Sequence, residues 1–235
     1  QHLNMVFAVA QMAGWLAPPV EAIHVPFGNV LGEDRKMFKS RSGETVKLSD
    51  LLDEAVARAT ASVREKNSEM STDEQAEVGR MVGIGAVKYA DLSTDRIKDY
   101  VFDWERMLSF DGNTAPYLQY AHARICSIFR RAQVDRASVR AVVPSLAEPQ
   151  EKALALTLLQ FDSTVHDTLD KFSPHRLCTY LFELAQSFSA FYEACPVLKD
   201  GYEATRESRL ALCDLTARTL NQGLALLGIE SPERM

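Results

Sequence analysis

Gly112-Asn113-Thr114-Ala115-Pro116-Tyr117-Leu118-Gln119-Tyr120-Ala121-His122-Ala123-Arg124-Ile125 opens the half of the chain whose reading decides the fold. From about residue 114 to 132 apolar side chains recur every 3.6 residues, which predicts an amphipathic helix with one face in a core. The same period runs over about 147–171 with a break near Asp162, over 174–195 from a cap at Ser173 with Pro174 in the first turn, and over 203–228 ending at Gly228. Pro144, Pro149, Pro196 and Gly201 separate these stretches, so residues 111–235 read as a helix bundle. Leu177, Leu181, Leu184, Leu212, Leu215 and Leu224 are assigned to its core.

Upstream the pattern is different. Leu3, Val6, Phe7 and Ala10 repeat at helical spacing and stop at Gly14, after which residues 22–27 (Ala-Ile-His-Val-Pro-Phe) read as a short buried strand. Ser49-Asp50 opens a helix to about Asn67, and the capping box Ser71-x-x-Glu74 opens another to about Tyr89. Residues 92–111 are mixed and aromatic, with Tyr100 to Trp104 extended, and are taken as a join between domains.

With 235 residues, 46% of them hydrophobic and 25% charged, the chain can bury a sizeable core, and disorder is excluded by composition. No apolar run reaches the roughly 20 residues needed to span a bilayer, and the start has no secretory-signal pattern, so a cytoplasmic protein without membrane association is expected. Cys126, Cys178, Cys195 and Cys213 are scattered singly and are expected as reduced, mostly buried thiols. The five histidines are isolated and no metal site is expected. The net charge of −6 argues against nucleic-acid binding, but its distribution does not: between residues 122 and 143 Arg124, Arg130, Arg131, Arg136 and Arg140 face Asp135 alone.

Two groups of residues carry candidate chemistry. Lys36-Met37-Phe38-Lys39-Ser40-Arg41-Ser42-Gly43 follows Gly28-Asn29-Val30-Leu31-Gly32, and small residues with two lysines can hold phosphate oxygens and the charge that develops in phosphoryl or nucleotidyl transfer; a solvated turn has the same pattern. Tyr117, Tyr120 and Arg124 lie at i, i+3 and i+7 and are expected on one helix face, where rings stack on unpaired bases and a guanidinium holds phosphate; core packing of the tyrosines is the competing reading.

The lysine loop resembles the KMSKS signature of class I aminoacyl-tRNA synthetases, with Phe38 where serine is usual, and its continuation Arg41 to Leu48 and Asp50 to Ala55 is similar to the arginyl-tRNA synthetase form. Residues 112–125 resemble the opening helix of that family's anticodon-binding domain, and Gly228-Ile229-Glu230-Ser231-Pro232-Glu233-Arg234-Met235 its C-terminus. The resemblance implies a mainly α chain: residues 1–45 ending a Rossmann-type catalytic domain with the lysine loop, connecting helices over 46–110, and a helical anticodon-binding domain over 111–235. It also implies ATP, with Mg²⁺ on the nucleotide, arginine and the tRNA for arginine as ligands, and a monomer. Lys36 and Lys39 would act on the phosphates, with Lys39 foremost, and His24, Gly28 and Ser40 would lie against the nucleotide. Tyr117, Tyr120, Arg124, Tyr192 and Met235 would meet the tRNA, with Met235 packed near Tyr192. The family's H-x-G-H motif has no counterpart among these residues, and Gln1 with Met5 inside a helix fits a C-terminal portion. The expected function is therefore arginine–tRNA ligation by the intact enzyme, with this portion alone inactive. A non-catalytic tRNA-binding module and an all-helical scaffold are the alternatives.

Overall fold

A computed structural model describes residues 1–32, 35–36, 47–67 and 69–235. In chain order these hold α1 (His2–Met12), β1 (Val30–Leu31), α2 (Leu48–Lys66), α3 (Thr72–Leu92), β2 (Tyr100–Val101), α4 (Trp104–Met107), α5 (Ala115–Ala132), a 3₁₀ turn (Arg136–Val139), α6 (Pro149–Leu159), α7 (Phe161–Asp170), α8 (His175–Ala194) and α9 (Glu203–Leu226).

The helix ends follow the side chains that close them. Ser71 accepts the Glu74 amide while the Glu74 carboxylate accepts the Ser71 amide at 2.9 Å, so the box seen in the sequence starts α3. At α9, Gly228 takes φ +69°. Its amide donates to Ala225 at 2.9 Å and the Ile229 amide to Leu224 at 2.9 Å, the paired bonds of a Schellman end, which a β-carbon at φ > 0 would strain. The Ser173 cap is not formed: its hydroxyl donates to the Lys171 carbonyl at 2.9 Å, and Pro174 is itself the capping residue of α8.

Leu118 and Ile125 of α5, Leu154 of α6, Leu181, Leu184, Phe188 and Phe191 of α8, and Leu212, Leu220 and Leu224 of α9 form the main core. Each such side chain contributes about 1.5–3 kcal/mol on burial. Leu215 is not among them: it is 36% exposed, because on α9 it lies about 60° from Leu212 and about 140° and 180° from Leu220 and Leu224, on the far side of their stripe. A second cluster, Ala59, Val63, Met70, Val78 and Val82, joins α2 to α3. All four cysteines are buried thiols.

The only charged pair buried on both sides among the described residues is Arg209–Glu151, with Nε to Oε1 at 2.8 Å and 5% and 2% of the side chains exposed. Glu151 also accepts the Ala147 and Glu148 amides through Oε2, and Arg209 donates to Pro196 O at 2.8 Å, so every charge is answered and the start of α6 is locked to α9.

The strand reading of residues 22–27 is corrected. That stretch has no regular structure, and Ile23, Val25 and Phe27 are exposed. A strand needs a ladder, and no neighbour among the described residues supplies one. The ladder forms three residues further on, where Val30 lies opposite Tyr100 and Leu31 opposite Val101 in parallel. Arg96 ties this unit to the bundle, donating to Pro26 O and to Phe172 O, both at 2.8 Å. Helix α1 forms as its periodicity predicts, but Leu3, Met5, Val6 and Val9 are exposed.

Candidate nucleic-acid interface

The face begins at the start of α5. Thr114 Oγ accepts the Tyr117 amide and donates to Ser109 O at 2.6 Å, fixing the entry angle, and Pro116 occupies the first turn, where its missing N–H leaves nothing unbonded. Leu118, Ile125 and Ile128 are fully enclosed, so the side of α5 bearing Tyr117 and Arg124 is held against α8.

There the tyrosine ring of Tyr117 meets Phe182 edge-on, with centroids 5.6 Å apart, and the Arg124 guanidinium lies 4.8 Å over the Tyr192 ring. Tyr192 in turn stacks on buried Phe188 at 5.9 Å and 25°. Arginine and tyrosine are both half-buried, which keeps them at the surface with their geometry set from below.

The structure divides the expected triplet. Three residues turn a helix by about 300°, so Tyr120 diverges from Tyr117 by about 60° while Arg124 returns to within about 20°. Tyr120 is 45% exposed and meets Phe110 edge-on at 6.4 Å. Both line a recess of about 470 Å³ with Val63, Lys66, Asn67, Asp111 and Met235, and Lys66 Nζ stands 3.9 Å over the Phe110 ring.

Met235 is brought there, and not to Tyr192, by a tightly bonded tail. Gln119 donates to Met81 O and Glu230 O, at 3.1 and 2.7 Å. Arg130 donates to Glu233 O at 3.0 Å, Arg80 bridges Glu77 and Glu230, and Arg234 pairs with Glu74 at 3.5 Å. Buried His122 bonds Pro232 O through Nδ1 at 3.0 Å. A carbonyl only accepts, so Nδ1 carries the hydrogen and Nε2 is left to accept from the Cys126 thiol at 3.7 Å. Burial pushes the His122 pKa down and keeps the ring neutral. Met235 then packs on the α2–α3 cluster, whereas Tyr192 belongs to the main core. The expected Met235–Tyr192 packing is corrected accordingly.

Among the residues expected at the nucleotide, Lys36 is exposed and its carbonyl accepts the Gly32 amide at 2.9 Å, and Arg35 has φ +56°. Lys39 and Ser40 lie outside the described residues. His24 is exposed in the irregular stretch. Gly28 allows a close backbone approach, and its partner here is the chain itself: its amide donates to Arg96 O at 2.6 Å, and a β-carbon would collide with the Lys98–Asp99 peptide. Beside it a recess of about 570 Å³ is lined by Gly28, Asn29, Arg96, Lys98 and Tyr100. Burial, with the Asp91 carboxylate adding to it, pushes the Tyr100 phenol up to about 12. Among the described residues no group of His, Cys, Asp or Glu is placed to hold a metal, and no helix is long and apolar enough to cross a membrane.

Sequence reading had missed Phe110, Phe182 and Lys66, which lie on other elements and meet the tyrosines only through the fold. The described residues thus combine a short parallel strand pair and connecting helices with a bundle that carries an aromatic and arginine face. Residues 1–104 match the model for the catalytic domain of tRNA synthetases class I (R), and residues 118–235 that of the DALR anticodon binding domain. The chain belongs to the arginyl-tRNA synthetase family.

It is 52% identical over 235 residues to an arginine–tRNA ligase of Proteus mirabilis (strain HI4320), covering all of this chain and 41% of that protein. With an arginine–tRNA ligase of Frankia casuarinae the identity is 55% over 234 residues, covering 39% of the relative. The fold superposes on Thermus thermophilus arginyl-tRNA synthetase with TM-score 0.83 and 40% identity, over 97% of this chain and 38% of that one. The Plasmodium falciparum enzyme gives TM-score 0.85 and 30% identity, over 100% and 39%. The chain thus spans about two fifths of the length of these proteins.

Proposed function

We propose that this chain is the tRNA-reading and lysine-loop portion of an arginine–tRNA ligase, and that the longer enzyme uses ATP, with Mg²⁺ on the nucleotide, to join arginine to its tRNA. The observation that carries the reading is the Tyr117–Arg124–Tyr192 surface, a half-buried cation and two rings held on the bundle matched by the anticodon-binding family. In such a ligation the arginine carboxylate attacks the α-phosphate and pyrophosphate leaves. Positive charge held beside those oxygens acts in the transition state, the role proposed for Lys36 and Lys39, with Ser40 as a hydroxyl donor and His24 and Gly28 along the nucleotide. Residues 1–45 end the catalytic domain, 46–110 connect, and 111–235 meet the anticodon, Tyr117, Tyr120, Arg124 and Tyr192 from the helices and Met235 from the tail. The enzyme works as a monomer in the cytoplasm.

The competing reading is a non-catalytic tRNA-binding module. Arginine-dependent ATP–pyrophosphate exchange decides between them. The longer enzyme should exchange, Lys39→Ala should lower its rate by about 10²-fold with tRNA affinity little changed, and these 235 residues alone, without an H-x-G-H motif, should not exchange. Equal rates for wild type and Lys39→Ala would remove the lysine loop from the chemistry.

A further inference from the structure

Asp214 of α9 has 1% of its side chain exposed, and three guanidiniums converge on its carboxylate. Arg136 Nε lies 2.8 Å from Oδ1, Arg218 Nε 2.9 Å from Oδ2, and Arg140 Nε 3.7 Å from Oδ2. A buried carboxylate needs compensation, but one guanidinium supplies it. Three leave two positive charges in excess.

Arg136 and Arg218 donate to it through Nε, whereas Arg140, at 3.7 Å, stands just beyond hydrogen-bond distance. Arg140 and Arg218 are 55% and 46% exposed, and neither makes a further hydrogen bond among the described residues. Arg136 is the enclosed member, with Nη1 3.7 Å from Cys126 Sγ and its guanidinium 6.0 Å over Phe129. The arrangement costs side-chain entropy and charge repulsion that a core contact would not need. It leaves the exposed Arg140 and Arg218 with N–H donors that no acceptor among the described residues takes, and such donors suit the paired oxygens of a phosphodiester.

The surroundings are basic. Arg130 and Arg131 are exposed in the last turn of α5, and Arg131, seven residues beyond Arg124, lies on the side of α5 that carries the aromatic face. The nearby acids are engaged or few: Asp135 caps the 3₁₀ turn through the Ala137 amide at 3.0 Å, and Glu233 lies on the tail beside Cys126.

We propose that the Arg136, Arg140 and Arg218 fan, positioned by Asp214, binds phosphates of the tRNA backbone as a contact separate from the aromatic face. It rests on the reading that the bundle binds tRNA. The test is titration of the full chain with a fluorescently labelled tRNA bearing an arginine anticodon, across a range of salt. Each phosphate contact carries about 0.9 in the slope of log K against log salt, so Arg140→Ala/Arg218→Ala should lower the slope by about two and weaken binding up to about 60-fold near 0.1 M salt. Arg140→Lys/Arg218→Lys should keep most of the slope, because counterion release counts charge; a purely structural role for the Nε contacts would not be rescued. Should the double alanine variant fail to fold by circular dichroism, Arg140→Ala, which leaves Asp214 two partners, should lower the slope by about one. Unchanged slopes in folded variants that still discriminate the anticodon loop would overturn the fan and leave the tRNA reading standing. Failure of the wild-type chain to bind any tRNA would remove both.

Discussion

Tyr192→Ala is the most informative single change on the aromatic face, and the structure sets its size. Stacking a base on an aromatic ring is worth roughly 1–3 kcal/mol. The Tyr192 ring is already engaged, with Arg124 4.8 Å over it and Phe188 stacked at 5.9 Å. A base therefore enters only where Arg124 leaves, and that contact is worth about 0.5–1 kcal/mol at a half-exposed site. Between the middles of these ranges the gain exceeds the loss by roughly 1.25 kcal/mol, so Tyr192→Ala should weaken tRNA binding by about eight-fold, and by at most about seventy-fold. The displaced Arg124 is free to take a phosphate, so Arg124→Ala should flatten the salt dependence by about one unit of slope while exposing the ring. Fluorescence anisotropy with labelled tRNA at several salt concentrations reads both effects, and circular dichroism verifies the fold. If folded Tyr192→Ala binds as wild type does, the ring takes no base and the displacement argument is wrong.

Two further outcomes concern stability. Glu151→Ala should cost about 3–5 kcal/mol in denaturant unfolding, because it leaves the Arg209 charge buried without its partner. Burial pushes the Glu151 pKa up, but the Glu148 and Ala147 amides and Arg209 pull it further down, to a net lowering, so this carboxylate stabilises the fold above its ordinary range and that stability is lost as pH falls through the lowered value. His122 acts near neutrality: its folded pKa lies below 6.5, the unfolded chain takes up the proton first, and stability should fall as pH drops from 7 through that window. Thermal melts of wild type and His122→Gln across pH 5–8 read this as a pH dependence that the variant lacks.

The helices were legible because each carries its own evidence within one segment. The 3.6-residue stripes of α5, α8 and α9 and the Ser71–Glu74 box are local, and they place the elements to within a few residues. What failed were statements about partners. Residues 22–27 have the composition of a strand, yet a strand is defined by its neighbour, and the neighbour of this region, Tyr100–Val101, is two residues long and seventy residues away. Tyr120 and Arg124 share a spacing rule but not a destination, because Phe110 and the tail capture one and α8 the other. The Asp214 fan was half visible: Arg136 and Arg140 stand out in a basic stretch, while Asp214 and Arg218, four apart on another helix, carry no signal that links them to it. Met235 was assigned to tRNA from resemblance, and its position follows from Gln119, His122 and Arg130, residues whose roles appear only once the tail has a place to lie.

The central claim is that this bundle reads an anticodon loop, and the most direct measurement compares two tRNAs that differ only there. The chain should bind a tRNA with an arginine anticodon more tightly than one with a changed anticodon loop, by about ten-fold or more at moderate salt, and Tyr192→Ala should shrink the difference. Equal affinity for the two tRNAs would contradict the account and return the bundle to a scaffold.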